Sequence, residues 1–278
     1  MTQNALPPFS LSQLTALDHN PPQLVGLAAR TGYSHAGIRL LPAAPGGIAY
    51  PLMDDDALLA ETLAVMADTG VRIFDLEMIR LDAGFDPARY GRFFEVGQRL
   101  GAQCILVAGD DGERARLIDA YGRLCEAARP YGLCCDLEFM PWTAVVGIGD
   151  AIEVVSAVRA DNAGVLIDAL HLDRSGGSAT DIARVQREWL HYAQICDGPA
   201  ERPTTPEGLI HAARCERLLP GEGAIDLDGI WRALPRELPV GVEVPNDIRA
   251  PQLGAEGWAR AALEAARAIV SRAPTGKN

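Results

Sequence analysis

The stretch Arg129-Pro-Tyr-Gly-Leu-Cys-Cys-Asp-Leu-Glu138, together with its repetition along the chain, decides the fold. An amphipathic run precedes this stretch, a glycine ends the run, and a short apolar segment follows at once. The same order recurs around Gly32, Gly70 and Gly101. A glycine readily takes the left-handed conformation that ends a helix, and a short apolar segment is typical of a buried parallel strand. The chain is therefore predicted to alternate helices and strands.

Eight strands are predicted in this way, with helical patterns between them. The strands span residues 9–15, 35–41, 72–79, 104–108, 133–139, 164–170, 192–197 and 240–244. The helices span residues 22–31, 54–69, 87–100, 113–131, 150–160, 180–190, 227–234 and 255–272. Eight such units favour one (β/α)8 TIM barrel over residues 1–278, with its core at about 9–272.

Two features of the chain bear on this architecture. A doubly wound open sheet is the competing fold, but it normally has a glycine-rich phosphate loop after its first strand. Ser12-Gln-Leu-Thr-Ala-Leu-Asp18 holds no glycine, which favours the barrel. The extended segment 198–226 after the seventh strand exceeds ordinary loop length, so we expect it to be functional or partly helical.

Composition limits the partners and the compartment. The 278 residues carry a net charge of −12, which argues against a nucleic-acid partner because phosphate binding needs a basic surface. No apolar run approaches the roughly 20 residues of a membrane span. Residues 1–8 show no signal-peptide pattern, and the six cysteines form no CxxC pair. A reducing cytoplasm is the expected location.

Four oxygen-bearing side chains stand at the ends of predicted strands five to eight, namely Glu138, Asp168, Gln194 and Glu243. Buried carboxylates need compensation, and the carboxyl ends of barrel strands meet at one face. The four residues are therefore predicted to bind one divalent metal ion. Oxygen donors favour Mn²⁺, Mg²⁺ or Co²⁺, with Zn²⁺ as a further candidate. The alternatives are ion pairing for Glu138, a loop cap for Asp168, a satisfied buried amide for Gln194 and a solvated loop carboxylate for Glu243.

Three more residues are expected near the same face. His171 follows Asp168 by three residues and is predicted to take part in catalysis or substrate binding; a core histidine is the alternative. Arg39 and Glu77 end the second and third strands and are predicted to bind substrate. For Glu77, a surface ion pair with Arg80 is the competing interpretation.

This ordered set resembles the xylose isomerase-like TIM barrels, over about residues 9–270. The resemblance rests on Glu138, Asp168-x-x-His171, Gln194-x-x-Asp197, Glu243 and the segment Leu219-Pro-Gly-Glu-Gly-Ala-Ile-Asp226. The group includes tagatose epimerase, hydroxypyruvate isomerase, the inositol-catabolism proteins and dehydroshikimate dehydratase.

The resemblance implies roles for individual residues. Glu138 and Glu243 would serve both as metal ligands and as proton-transfer groups, and His171 would hydrogen-bond a substrate oxygen. Arg202 would hold an outer hydroxyl or carboxylate of the substrate. Many isomerases and epimerases of the group have histidine where this chain has Gln194, and glutamine there resembles some dehydratases. Relatives often form dimers or tetramers, for which Trp231 and Trp258 are candidate contacts if they do not pack against the barrel.

Three functions follow from these expectations. The first is a metal-dependent isomerase or epimerase of a small keto-sugar or polyol derivative, acting by proton abstraction beside a metal-bound carbonyl. The second is a metal-dependent lyase that resembles 3-dehydroshikimate dehydratase. The third is a sugar-binding barrel without catalytic activity. All three imply a small carbohydrate-like ligand.

Overall fold

The computed structural model describes residues 6–272 and shows a closed barrel of eight parallel strands. Residues 1–5 lie outside the described range. They belong to the segment 1–8, for which no signal peptide is predicted. The strands are β1 Phe9–Leu11, β2 His35–Arg39, β3 Arg72–Leu81, β4 Cys104–Gly109, β5 Cys134–Glu138, β6 Ala163–Asp168, β7 Ala193–Ile195 and β8 Val240–Val242. Each strand pairs with its successor, and β1 pairs with β8, which closes the barrel. The predicted TIM barrel is confirmed.

Helices connect the strands and cover the outside of the barrel. They are α1 Pro21–Thr31, α2 Asp56–Thr69, α3 Gly91–Leu100, α4 Arg114–Ala128, α5 Ile148–Val158, α6 Ala169–Arg174, α7 Ala179–Ile182, α8 Pro206–Cys215, α9 Leu227–Ala233 and α10 Arg249–Arg272. Gly32, Gly70 and Gly101 end α1, α2 and α3 in the left-handed conformation, as predicted. Gly254 has φ 68° inside α10, which divides this helix close to its predicted start at residue 255.

Three predicted elements differ from the structure. Strand β6 ends at Asp168 and not at residue 170, because the Asp168 side chain accepts a hydrogen bond from the His171 amide and starts α6. The predicted helix 180–190 consists only of the short α7 and a separate 3-10 turn at Arg187–Trp189. The first strand stops at Leu11, and a 3-10 turn follows it.

The main hydrophobic core lies between the strands and the surrounding helices. Trp231 and Trp258 belong to it, with 6% and 1% of their surface exposed, so they pack against the barrel. A smaller apolar cluster includes Phe74, Leu106 and Tyr192. None of the helices between residues 6 and 272 has both the length and the apolar character that crossing a bilayer requires.

Candidate metal centre

The carboxyl ends of β5 to β8 bring the four predicted metal ligands to one mouth of the barrel. Glu138 and Asp168 are the last residues of β5 and β6. Gln194 lies in β7 beside Asp168, and Glu243 directly follows β8. All four are buried, with no more than 4% of their surface exposed. Because the strands are parallel neighbours in register, these side chains share one end of the barrel.

Side-chain contacts join these residues in two groups, Glu138 with Asp168 and His171, and Gln194 with Glu243. Ligand atoms of Glu138, Asp168 and His171 all lie within 4.8 Å of one another. The Gln194 amide nitrogen donates a 3.2 Å hydrogen bond to Oε1 of Glu243. The backbone amide of Glu243 also donates to the Ile195 carbonyl, which joins β8 to β7 at this level. The mouth is therefore a concentrated set of buried oxygen atoms.

Two of these oxygens have no hydrogen-bond partner within the described range 6–272, namely Oε1 of Glu138 and Oε1 of Gln194. A buried polar atom without a partner is unfavourable by about 1–3 kcal/mol, so such atoms are uncommon in a folded protein. The amide of Gln194 is oriented by its bond to Glu243, which leaves its carbonyl oxygen free. Two free oxygens beside two carboxylates fit a divalent cation of the hard or borderline type.

Arg217, which the sequence analysis did not select, lies between two of the predicted ligands. Its Nη1 donates a 2.6 Å hydrogen bond to Oδ2 of Asp168, and its Nη2 lies 3.0 Å from Oε2 of Glu243. Its Nε donates to the Ala213 carbonyl of α8, and only 2% of its side chain is exposed. The only feature of the sequence that could have indicated Arg217 is its position, two residues before the family-like segment that begins at Leu219. Arg217 supplies one positive charge beside the three carboxylates of the predicted ligand set.

Burial and charge shift the acidities of these groups. Burial raises the pKa of Glu138 well above its usual range, and the charges of Asp168 and Glu243 raise it further. Burial raises the pKa of Glu243 to about 7, although Arg217 opposes this shift. Burial would also raise the pKa of Asp168, but the Arg217 charge, His171 and the hydrogen bonds from both residues together outweigh burial, and the pKa is lowered. Two carboxyl groups of the mouth thus have raised pKa values, and that of Glu243 lies at about 7.

His171 is held in its neutral form. Burial lowers the pKa of this imidazole to about 4, against the attraction of Asp168. Its Nε2 lies 3.7 Å from Oε1 of Glu138, and the Trp142 ring packs edge-on against it with centroids 5.1 Å apart. A neutral imidazole can both donate and accept a hydrogen bond, which suits it to contact a substrate oxygen.

Arg39 and Glu77 form a buried ion pair at the same mouth. The Arg39 Nε donates a 2.8 Å hydrogen bond to Oε2 of Glu77. Both residues line one cavity with Glu138, His171 and Glu243. The alternative of a surface pair between Glu77 and Arg80 is wrong, because Arg80 bonds Asp110 instead.

Arg202 lies farther out than the resemblance implies. Its Nη2 donates a 2.7 Å hydrogen bond to Oδ1 of Asp173, and 52% of its side chain is exposed. It lines a neighbouring cavity that Arg217 also borders, and not the cavity at Glu138 and His171. Its predicted substrate contact stays a prediction.

Asp197 fixes the glycine-rich rim of the mouth. Its carboxylate accepts hydrogen bonds from the backbone amides of Gly221, Gly223 and Ile225, at 2.9, 3.0 and 3.1 Å. A Cβ at position 223 would lie 2.3 Å from Oδ1 of Asp197, so only glycine fits there. The predicted extended segment 198–226 contains α8, which places Ala213 and Arg214 over the cavity.

A family model described as xylose isomerase-like TIM barrel matches residues 25–269. The chain belongs to the xylose isomerase-like TIM barrel family. The structure also resembles the crystal structure of the "IOLI protein with a binding zinc atom", with a TM-score of 0.80, 22% identity and coverage of 97% of this chain and 100% of the other. At 22% identity, this likeness shows a shared fold.

Two curated relatives indicate the chemistry found in this family. The inosose isomerase of Halalkalibacterium halodurans is 29% identical over 160 residues, which is 56% of this chain and 54% of the relative. The 3-dehydroshikimate dehydratase of Pseudomonas aeruginosa is 27% identical over 212 residues, which is 70% of this chain and 33% of the relative. The chain thus matches about half of the isomerase and a third of the dehydratase.

Proposed function

We propose that this protein is a divalent-metal-dependent isomerase or epimerase of a small keto-sugar or polyol derivative. The observation that carries the proposal is the pair of buried glutamates at the mouth, Glu138 and Glu243, beside two unpaired oxygen atoms among the described residues. A pair of carboxyl groups with raised pKa values suits the transfer of a proton at neutral pH.

The residues of the mouth divide the work between them. Glu138, Asp168, Gln194 and Glu243 would hold a divalent cation, which would supply electrostatic stabilisation of the negative charge that develops on a carbonyl substrate. Glu138 and Glu243 stand on different strands, so one takes the proton beside the carbonyl and the other returns it. His171 hydrogen-bonds a substrate oxygen. Arg217 keeps Asp168 ionised and holds the Glu243 carboxylate in place.

Substrate binding is assigned to the side of the cavity that Arg39 and Glu77 form. The ion pair to Arg39 leaves Oε1 of Glu77 without a hydrogen-bond partner in the described part of the chain. A substrate hydroxyl can donate to this oxygen. A site that is polar on one side and lined by Met140 and Trp142 on the other suits a small polyol.

A lyase is the second candidate, and one observation favours it. Gln194 stands where many isomerases and epimerases of the family have histidine, and the match to the dehydratase covers 70% of this chain. The same proton abstraction followed by loss of a β-hydroxyl gives a dehydrated product. The two reactions share their first step and differ in where the electron pair of the broken C–H bond goes.

One experiment separates the two candidates. The metal-free protein is reconstituted with Mn²⁺, and a panel of keto-sugars and inososes in D₂O is followed by NMR for deuterium incorporation and isomer formation. Dehydroshikimate is followed in parallel by the absorbance of the aromatic product. Isomer formation that Glu138→Gln and Glu243→Gln each abolish supports the isomerase. Product absorbance alone supports the lyase, and no turnover in either assay contradicts both and leaves a binding protein.

A further inference from the structure

A second cluster of metal-binding side chains lies at the opposite end of the barrel. Cys104 and Cys134 are the first residues of β4 and β5 and are paired across the two strands. Asp136 lies two residues after Cys134 and so points to the same face of β5. His191 stands two residues before β7. The amino ends of three strands thus contribute two thiols, a carboxylate and an imidazole.

Three of these groups are close enough to share one ion. Ligand atoms of Cys104, Asp136 and His191 all lie within 4.8 Å of one another. The His191 Nδ1 lies 2.8 Å from Oδ1 of Asp136. Cys134 stands directly opposite Cys104 in the pairing of β4 with β5, which makes it the candidate fourth donor.

One further observation points to a ligand here, and a second shows how the backbone accommodates the cluster. Asp136 is fully buried, yet its Oδ2 has no hydrogen-bond partner among residues 6–272. Gly164 on the adjacent β6 leaves room for the cluster, because a Cβ there would lie 2.4 Å from Oδ1 of Asp136 and 2.6 Å from Nδ1 of His191. The backbone therefore approaches the pair as closely as it can.

We propose that Cys104, Cys134, Asp136 and His191 form a second metal site, for a thiolate-binding divalent cation such as Zn²⁺. Two sulfurs, one nitrogen and one oxygen are a donor set that Zn²⁺ accepts in tetrahedral coordination. The mouth offers oxygen donors, so the two sites differ in the ion that they prefer. Cys134 is half-buried and 20% of the His191 side chain is exposed, which gives an ion a path from solvent.

The role of this site is structural. Four protein donors complete a tetrahedron and leave no position for substrate. The ion would join β4, β5 and the segment before β7 at the end of the barrel away from Glu138. Binding requires deprotonated ligands, so affinity increases with pH.

Cobalt spectroscopy tests the proposal without relying on turnover. The full chain is stripped of metal, reduced and titrated with Co²⁺, since a thiolate ligand gives a sulfur-to-cobalt charge-transfer band that oxygen ligands do not. We expect a band that reports one thiolate-bound cobalt, in addition to any cobalt that the oxygen ligands of the mouth bind without such a band. The band should fall by about half in Cys104→Ser or Cys134→Ser and be lost in the double variant. Added Zn²⁺ should displace it.

Matched controls locate the signal. Cys215→Ser and Cys196→Ser should keep the full band, the second because the Cys196 thiol contacts Arg217 at the mouth. If the double variant does not fold, His191→Gln should weaken cobalt affinity by about 10–100-fold, and Zn²⁺ should protect Cys134 from a thiol reagent. The absence of a band from the wild-type protein, or its loss in Cys196→Ser with no change in Cys104→Ser, overturns the proposal.

Discussion

At the scale of single residues, Arg217 balances the charge of the mouth. It is almost fully buried and contacts two carboxylates, Asp168 and Glu243. Removing one partner of a buried ion pair leaves the other charge uncompensated, which is more unfavourable than replacing the whole pair. A divalent cation at the same mouth would supply part of the missing charge.

Arg217→Met should therefore lower the free energy of unfolding of the metal-free protein by about 3–5 kcal/mol. Part of that loss should return when Mn²⁺ is added, because the ion compensates Asp168 and Glu243. Urea denaturation with and without Mn²⁺ measures both effects. Arg202→Met is the matched control and should change stability by less than about 1 kcal/mol, since its pair with Asp173 is half exposed. Equal losses in the two variants would contradict this account of Arg217.

Asp75 is a second buried carboxyl whose protonation is set by its surroundings. It is fully buried, and neither oxygen has a hydrogen-bond partner in the described structure. Burial raises its pKa well above the usual range, and the charge of Glu77 adds to the shift. The folded protein thus favours the neutral form of Asp75, while the unfolded chain ionises it above about pH 4. Asp75 therefore makes the wild-type protein less stable as the pH rises through that value.

Asp75→Asn removes this ionisation and keeps the shape of the side chain. The variant should be more stable than the wild type at pH 7 by at least about 1 kcal/mol, and its advantage should shrink towards pH 4. Urea midpoints at the two pH values measure the change. The exposed Asp119→Asn serves as the control and should show little pH-dependent difference. If the stability gained by Asp75→Asn over the wild type is smaller at pH 7 than at pH 4, this interpretation of Asp75 is wrong.

At the scale of elements, β5 connects the two clusters. Cys134, Asp136 and Glu138 occupy every second position of this strand, so their side chains point to the same face. They follow one another from the amino end of the barrel to the mouth. The sequence predicted this strand because its residues form a short apolar run after a glycine. It did not predict that α6 starts at Asp168, because Ala169-Leu-His-Leu172 is apolar enough to continue a strand. Only the cap contact between Asp168 and the His171 amide decides between the two.

The glycine-rich rim gives a test at this scale. Gly223→Ala would place a Cβ 2.3 Å from both the Asp197 carboxylate and the Gly198 carbonyl. Such overpacking should lower the free energy of unfolding by about 1–3 kcal/mol, and it should reduce turnover because the segment that carries Arg217 shifts. Thermal denaturation and the isomerase assay measure the two effects.

Gly149→Ala is the matched control for this substitution. Gly149 is exposed in α5, and a Cβ there would meet no atom within 4 Å. Alanine should stabilise the helix by up to about 1 kcal/mol, because it reduces the freedom of the unfolded chain. If Gly223→Ala is as stable as Gly149→Ala, the Asp197 contacts do not hold the rim as described.

At the scale of the whole molecule, alternation of elements was sufficient to predict the closed barrel. Parallel strands joined by helices have few arrangements, and eight equal units close. The same reasoning placed Glu138, Asp168, Gln194 and Glu243 at one mouth, because the carboxyl ends of barrel strands meet there. It missed Arg217, because this residue lies in an irregular segment where the sequence shows neither helical nor strand periodicity. The substrate contact of Arg202, which rested on the resemblance alone, stays a prediction, because a motif does not fix where a loop side chain points.

The barrel also keeps the two proposed ions apart and chemically distinct. One end offers carboxylate and amide oxygens, and the other offers sulfur and nitrogen with one carboxylate. Hard ions prefer the first set and thiophilic ions the second. A protein that takes both would carry a catalytic ion at the mouth and a structural ion at the base.

The position of a bound manganese ion shows whether Glu138, Asp168, Gln194 and Glu243 hold one divalent cation at the mouth. A crystal soaked with Mn²⁺ can be measured for anomalous scattering, which locates the ion independently of any assay. We predict one strong peak at the mouth, within coordination distance of Oε1 of Glu138 and Oε1 of Gln194 and next to the Asp168 and Glu243 carboxylates. A soaked crystal with no Mn²⁺ peak at this mouth, in which the Arg217 guanidinium fills the space between the carboxylates, would contradict the metal-dependent mechanism.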